Sequence, residues 1–339
     1  MAEHMKAWQV LSPGSVQDKL TLVDDEPQPS RPLQAGELLV QVVSAGINPA
    51  DYKVPGLGIA ARVITTFPKT LGMDLSGRVV SVGEGVTDLN VGDNVLARLD
   101  PTQAPGSLSE YVIVPRDGYA LLPKEFDLDL AAGAPTTALT AYQSIQPYVK
   151  AGDKIFINGG SGGTGTFGIQ IAKILGCYVT VSCSTSKATL CKELGADEII
   201  DYKTADVTEA LKKSGHTYSH VVDNVGNSPP NLYSLSSAFL LPEAKYVFVG
   251  GTVSLRSAAN LASSLLRPAV LGGGKNQFVM YVTKNRHDDL VQIAQWLGEG
   301  KLKTVMDSCF DFADVAKAFT HLKKGTSAGK VVVRVAPRQ

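Results

Sequence analysis

The sequence predicts an α/β protein built around two cores, one β-rich and one a doubly wound parallel sheet. Three observations carry that expectation. A short apolar run, Lys154–Asn158, leads straight into the glycine turn Gly159–Gly165, and a helical face of Phe167, Ile171, Ile174 and Leu175 follows it. From about 126 to 283, short apolar runs alternate with helical patterns, the texture of βαβ units. Residues 6 to about 125 instead hold β-rich runs parted by Gly and Pro turns.

Taken in order, the β-rich part offers strands at Leu38–Val43, Gly77–Val82 and Tyr111–Pro115, punctuated by turns such as Gly83–Gly85 and Val91–Asn94. The alternating part offers Lys154–Asn158, Tyr178–Ser182, Glu198–Ile200, His220–Asp223, Lys245–Val249 and Phe278–Val282. Helical patterns between them include Lys187–Leu194 and Leu232–Leu240. Six strands are the number a complete doubly wound sheet requires. The tail gives helices near Asp289–Glu299 and Ala313–Lys323 and a last strand, Lys330–Val335. That strand has no seat in the parallel sheet and is expected to return to the first core, so the domains are expected at 1–125 with 284–339, and at 126–283.

The bulk numbers exclude several partners. Of 339 residues 44% are hydrophobic and 19% charged, and Lys+Arg and Asp+Glu both count 32, so nothing favours nucleic acid or an anionic membrane surface. No apolar stretch approaches the ~20 residues of a membrane span. Without a signal-peptide core or an Arg-rich transit pattern at the start, a cytoplasmic location is expected. Cys177, Cys183, Cys191 and Cys309 form no Cys-x-x-Cys and read as free thiols of a reduced compartment.

Within the glycine turn, Gly160-x-Gly162-x-x-Gly165 fits the dinucleotide fingerprint: a tight turn, a close approach of backbone to a pyrophosphate, and close helix–strand packing. The helix that opens at Ser161, Gly163 and Thr164 offers unpaired N–H groups and a positive dipole end to phosphates. An NAD site would place an acid on the ribose about 20 residues on. Here the second strand ends in Ser182–Lys187, and no carboxylate appears until Glu193. Ser184, Ser186 and Lys187 supply donors and a cation for a 2′-phosphate, so NADPH is expected; the alternative is that the serines only cap a helix.

The chain resembles the medium-chain dehydrogenase/reductase superfamily. Beside the glycine turn, the resemblance rests on Gly46–Asp51, Leu71–Gly77, Gly83–Val86, Gly92–Val95, Leu139–Tyr142, Asp223–Gly226 and Ala328–Val331, in the family's order over essentially the whole chain. It implies a GroES-like β-barrel catalytic domain plus a doubly wound, parallel-sheet Rossmann nucleotide-binding domain. The alcohol-dehydrogenase branch holds zinc through a Cys, a Gly-His-Glu motif and a four-cysteine lobe. Residues 1–125 have no Cys and only His4; the Gly-His-Glu position reads Gly72-Met73-Asp74, and the lobe region reads Asp100–Gly106. Zinc's thiolate and imidazole ligands are missing. The resemblance is therefore to the zinc-independent quinone oxidoreductase and enone (enoyl) reductase branch, with no metal expected.

A quinone or an α,β-unsaturated carbonyl accepts hydride without a metal because the charge delocalises; an enone then needs a donor at the enolate oxygen and a proton at the α-carbon. In the family the loop Asn48–Lys53 lies over the nicotinamide. The resemblance implies Asn48 as a cofactor or substrate contact and Tyr52 as a proton donor or ring-positioning group. Lys53, shared with some plant chloroplast-envelope relatives and fungal trans-acting enoyl reductases, is implied as an enolate donor or ribose clamp. Against this, Asp51 can merely cap the turn, Tyr52 pack, and Lys53 be a solvated charge. Further cofactor contacts implied are Thr140, Tyr202 beside Lys187, Asn224, Gly250, Gly251, Asn276 and Phe278; each also reads as ordinary turn or core, Phe278 nearly as readily as pocket.

Phe278–Val282 should be the sheet's edge, whose pairing across a two-fold axis would give a homodimer. Three functions compete: an NADPH-dependent reductase of small-molecule quinones or enones; a trans-acting enoyl reductase on a carrier-bound acyl thioester, for which Lys53, Arg62 and Lys69 would form a basic patch; and an NADPH-binding regulatory protein with vestigial activity. The acceptor depends on loops around 53–70 and 252–276.

Overall fold

The computed structural model describes residues 3–103, 105–226, 228–250 and 276–336. They fall into two compact units, one of residues 1–139 and 284–339, the other of residues 140–283. The first holds β1 (His4–Val10), α1 (Val16–Lys19), β2 (Leu20–Pro27), β3 (Leu38–Ile47), α2 (Pro49–Lys53), α3 (Ala61–Ile64), β4 (Lys69–Thr70), β5 (Asp74–Val82), β6 (Asn94–Arg98), β7 (Tyr111–Val114), β8 (Tyr119–Leu121) and α4 (Leu128–Ala132). Helix α5 (Pro135–Ile145) leads into the second unit, which holds β9 (Lys154–Asn158), α6 (Gly163–Ile174), β10 (Tyr178–Cys183), α7 (Ala188–Glu193), β11 (Glu198–Asp201), α8 (Val207–Lys213), β12 (Tyr218–Asp223), β13 (Leu240–Phe248) and β14 (Gln277–Met280). The chain then returns to the first unit with α9 (His287–Gly298), β15 (Met306–Asp311), α10 (Val315–Lys323) and β16 (Lys330–Arg334).

In the second unit the sheet runs β11-β10-β9-β12-β13-β14, every neighbouring pair parallel, which is the 3-2-1-4-5-6 order of a complete doubly wound sheet. Its central strands read as unbroken apolar runs because both faces are covered: Ile155, Phe156 and Ile157 are wholly buried. In the first unit a seven-stranded sheet follows β15-β16-β3-β5-β6-β8 with β7 also on β3, and a smaller sheet runs β2-β1-β4. The last strand, β16, lies antiparallel to β3, Val331 opposite Ile47. Leu38, Val40, Leu75, Val95, Val112, Phe319 and Val333 fill the core beneath.

Two expectations are corrected. The first unit runs to Leu139 rather than to 125. Helix α4 belongs with the β-rich sheet, because Ser76 Oγ donates to the Leu128 carbonyl at 2.5 Å, Ser44 and Arg334 both reach the Asp129 carboxylate, and the Thr136 N–H donates to Asp74 at 2.9 Å. The helix expected over Leu232–Leu240 is a run of turns with one 3₁₀ turn at Ser236–Ala238. Its serines bond elsewhere instead of continuing a helix, Ser234 locally to the Asn231 carbonyl and Ser236 to the distant Asn276 side chain. Leu232, Tyr233 and Phe239 are buried nonetheless, which is why the apolar spacing resembles a helix.

Candidate active site

The glycine turn of the second unit has the shape a pyrophosphate needs. Gly162 is the N-cap of α6. A β-carbon on Gly165 would lie 2.1 Å from the Gly159 carbonyl oxygen, so only glycine lets helix and strand close there. At Gly162 the nearest atom to such a carbon is 3.8 Å away, leaving open room in front of the N–H groups of Gly163 and Thr164. Beneath, the Gly160 N–H donates to the Ser182 carbonyl and the Gly159 N–H to Ser182 Oγ, at 2.8 and 2.9 Å.

A chain of buried polar groups ties this turn to the next strand end. Ser182 Oγ donates to Asn158 Oδ1 at 2.5 Å, Asn158 Nδ2 donates to Asp223 Oδ1 at 2.8 Å, and the Tyr246 hydroxyl donates to Asp223 Oδ2 at 2.8 Å. Burial pushes the Asp223 carboxyl up, and N–H groups of Gly226 and Val225 oppose that. The turn held by Asp223 carries Asn224, whose buried Oδ1 has no partner among the described residues, an acceptor left for a donor from a ligand. Gly250 lies beside it, its added β-carbon 3.7 Å from the Asn224 carbonyl; Gly251 lies outside the described residues. Asn158, Ser182 and Tyr246 were not singled out from sequence. The available signal was that β9, β10 and β12 each exchange an apolar run for a polar residue at the carboxyl end.

After β10, the Ser184 and Ser186 hydroxyls face each other at 3.4 Å and neither caps a helix through its side chain, while Lys187 stands at the N-cap of α7. Tyr202 is half exposed with the Lys203 ammonium 5.5 Å from its ring centre. Asp201, which the sequence reading passed over, also lies here; its carboxylate accepts from Thr185 Oγ1 and from the Lys203 N–H, which hold its pKa down. Thr140 is buried and bonds Thr283 at 2.5 Å. Phe278 packs face to face with Tyr246 and edge-on to Tyr233, so its ring belongs to the core. Asn276 donates to the Leu241 carbonyl at 2.7 Å and accepts from Ser236, so its side chain is engaged within the unit.

In the first unit the segment after β3 becomes a single helical turn. Asn48, extended at φ −132°, is its N-cap, Pro49 starts it, and the Asn48 N–H donates to the Asp51 carboxylate at 2.7 Å. The Asn48 carboxamide points inward: Nδ2 donates to Asp74 Oδ2 at 2.8 Å, and Oδ1 accepts from Lys330 Nζ at 2.5 Å. Asp74 Oδ1 accepts from the Thr136 N–H and hydroxyl. Asp51, Asp74, Lys69 and Lys330 are all at most 6% exposed. Burial raises the Asp51 carboxyl to about 7, the nearby Asp74 adding to the rise. Burial lowers the Lys330 ammonium, and Asp74 and Asp51 oppose that.

Tyr52 and Lys53 follow on the same turn, both half-buried. Burial raises the Tyr52 phenol and lowers the Lys53 ammonium. Tyr52 packs on the β-rich core with the Lys323 ammonium 5.5 Å from its ring centre. Of the expected basic patch, Arg62 is exposed, but Lys69 is buried and donates to the Gln103 carbonyl at 2.5 Å, so it is not available to an acidic partner. Around Arg62, Ile59 and Val63 are 85% and 91% exposed.

Family models match in the order the motifs run: an alcohol dehydrogenase GroES-like domain over residues 34–124 and a zinc-binding dehydrogenase domain over residues 194–333. The chain is 41% identical to a trans-enoyl reductase of Aspergillus terreus, covering 98% of this chain and 96% of that one. It is 32% identical to a mitochondrial NAD(P)H oxidoreductase of Mus musculus, covering 88% and 82%. Among solved structures, the quinone oxidoreductase of Coxiella burnetii superposes with a TM-score of 0.83 at 28% identity, over 98% of this chain and 100% of that one.

The zinc in the second family's description does not fit these residues. At the metal-binding motif, Met73 is a buried apolar side chain, and Asp74 is saturated by Thr136, Asn48 and Lys330. Among the described residues no group of three His, Cys, Asp or Glu is placed to hold a metal. A nicotinamide dinucleotide does fit, by the open room at Gly162 and the unpartnered acceptor of Asn224. With its two domains in sequence, its strand order and a 41% relative along its length, the chain belongs to the medium-chain dehydrogenase/reductase superfamily, among relatives named as enoyl reductases and quinone oxidoreductases.

Proposed function

We propose that this chain is an NADPH-dependent reductase that saturates a C=C bond conjugated to a carbonyl. The observation that carries it is the pair Tyr52 and Lys53, two half-buried donors side by side on a turn that Asn48 and Asp51 fix from within. The coenzyme supplies hydride to the β-carbon. The chain's own residues then have two tasks, to hydrogen-bond the oxygen that gains charge and to protonate the α-carbon. A phenol kept protonated by burial suits a general acid, and an ammonium beside it suits the developing enolate. Asn48 serves by holding the turn.

The coenzyme contacts proposed are Gly160, Ser161, Gly162, Gly163, Thr164 and Gly165 for the pyrophosphate and Asn224 and Gly250 at the adjacent strand end. NADPH over NADH is supported by Ser184, Ser186, Lys187 and Tyr202, whose side chains form a cationic, donor-rich turn. Asp201 is engaged by Thr185 and Lys203, which spends its charge locally.

For the acceptor, the 41% identity to a trans-enoyl reductase favours an enoyl thioester, and the likeness to a quinone oxidoreductase keeps quinones as the second class. A C2 dimer through β14 is proposed from its place at the sheet edge and from Met280 and Val282, 62% and 73% exposed. The deciding experiment is anaerobic NADPH consumption with a 2-enoyl thioester and, separately, an ortho-quinone. A saturated product from the thioester supports the reading, and turnover of the quinone alone defeats it.

A further inference from the structure

Two sequence motifs remain without a task in that chemistry, Gly72-Met73-Asp74 and Ala328-Gly329-Lys330, and the fold brings them together under the candidate catalytic turn. We propose that Lys330 is a positioning residue: from the start of β16 its ammonium locks the Asn48 carboxamide against Asp74 and so fixes the turn that presents Tyr52 and Lys53. The inference rests on the assignment of Tyr52 and Lys53 made above.

The hydrogen bonds leave little freedom. Lys330 Nζ has three donors and three acceptors around it, the Ile47 carbonyl at 3.2 Å, Asn48 Oδ1 at 2.5 Å and Asp74 Oδ2 at 3.5 Å. An ammonium only donates and a carboxylate only accepts, so the Asn48 amide can take one orientation, oxygen to Lys330 and nitrogen to Asp74. Asp74 Oδ1 is held in turn by both donors of Thr136, and Thr136 Oγ1 accepts from Arg98 Nε at 3.1 Å. The carboxamide therefore sits between a buried cation and a buried anion, each held by further hydrogen bonds. Its backbone N–H is committed to Asp51, and its carbonyl accepts the Asp51 N–H at 3.0 Å. Fixing Asn48 fixes the first turn of α2, and the next two side chains after Asp51 are Tyr52 and Lys53.

A lysine 3% exposed is costly, and a well-packed apolar residue would hold a sheet as well or better. Strand β16 already has apolar neighbours in Val331, Val332 and Val333, all wholly buried. The ammonium's distinctive contribution is direction: it donates to Asn48 Oδ1 at 2.5 Å while Nδ2 of the same carboxamide donates to Asp74. The charged groups facing it are Asp74 from β5 and Asp51 from α2, with Lys69 of β4 also acting on Asp51.

The test uses the full chain with Lys330→Met, the double variant Lys330→Met/Asp74→Asn, which removes both buried charges together, and Asn48→Ala, which leaves the ion pair intact. Two readouts are taken: kcat and KM for enoyl thioester reduction with the NADPH dissociation constant, and amide hydrogen exchange across residues 48–54. Expected for the double variant and for Asn48→Ala are a fall of about 100-fold in kcat with the NADPH dissociation constant unchanged, and exchange at 48–54 about tenfold faster. If Lys330→Met fails to fold, the double variant and Asn48→Ala carry the test. Unchanged exchange at 48–54, or a kcat within about twofold of the parent despite a lowered Tm, overturns the positioning role. A parent enzyme that binds NADPH but reduces no thioester defeats the functional reading instead, and the exchange measurement still decides the role of Lys330.

Discussion

Gly165 faces Gly159 so closely that a β-carbon on the first would stand 2.1 Å from the carbonyl oxygen of the second, whereas the same carbon on Gly162 would touch nothing nearer than 3.8 Å. The two glycines therefore serve different masters, one the fold and one the ligand. Gly165→Ala is expected to destabilise the protein by about 1–3 kcal/mol through overpacking against backbone. Gly162→Ala is expected to leave Tm within ~1 °C and to weaken NADPH by about tenfold or more, because it fills the ligand's room. Thermal unfolding and a fluorescence titration with NADPH separate the two, and equal behaviour of both variants would contradict this division.

Removing the donors should split the acceptor classes. Tyr52→Phe is expected to lower kcat for an enoyl thioester by about 100-fold, the usual worth of a general acid. Lys53→Ala is expected to cost the same reaction about tenfold or more through the unmet enolate charge. An ortho-quinone, which takes its protons on oxygen and not carbon, should lose much less with either variant. Parallel steady-state assays with the two acceptors provide the check.

Coenzyme choice is expected to follow Lys187. Its change to Ala should weaken NADPH by roughly 10–100-fold, the worth of a charge-assisted bond, and NADH by little. Raised ionic strength should narrow the gap between the coenzymes.

The buried Asp51 carboxyl gives a stability signature in pH. Below about pH 4 both the folded and unfolded chains hold its proton. From there up to about 7 the folded chain alone holds it, so stability falls as pH rises through that window and levels above it. Asp51→Asn should flatten this slope while keeping one side-chain oxygen to accept from the Asn48 N–H. Chemical denaturation at a series of pH values reads both effects, and an unchanged slope would mean that Asp51 keeps its charge.

Edge pairing makes the last expectation. Met280→Lys places a charge on the exposed face of β14 and should shift the chain from dimer to monomer in sedimentation, with little change in Tm. A parent chain that sediments as a monomer would remove the two-fold pairing.

Much of the second unit was legible because its signals are local. The run Lys154–Asn158 followed by glycines names a strand, a turn and a helix within a dozen residues, and the structure has β9 and α6 there. The serine-rich segment 232–240 misled because its buried leucines and aromatics fall at helical spacing while its hydroxyls bond Asn231 and the distant Asn276. The first unit hides more. Lys69 looks like a surface charge in sequence, and only the fold shows it donating to the Gln103 carbonyl. Lys330 and Asp74 are 256 positions apart, and no periodicity joins them. Motif order pointed to Asn48–Lys53, but what holds that turn was written in residues that meet only after folding.

The seat of β16 has a consequence for how the chain is made. It fills the edge of β3 from Ser44 to Ile47, beyond the part that β7 pairs, and it follows the whole parallel sheet in sequence. As the chain emerges from the ribosome, that edge of β3, which β5 pairs from the other side only, must stay open until residues 330–334 have been made. The parallel sheet of residues 140–283 is complete well before then. The parallel sheet can thus close before the β-rich sheet whose strands flank it in sequence.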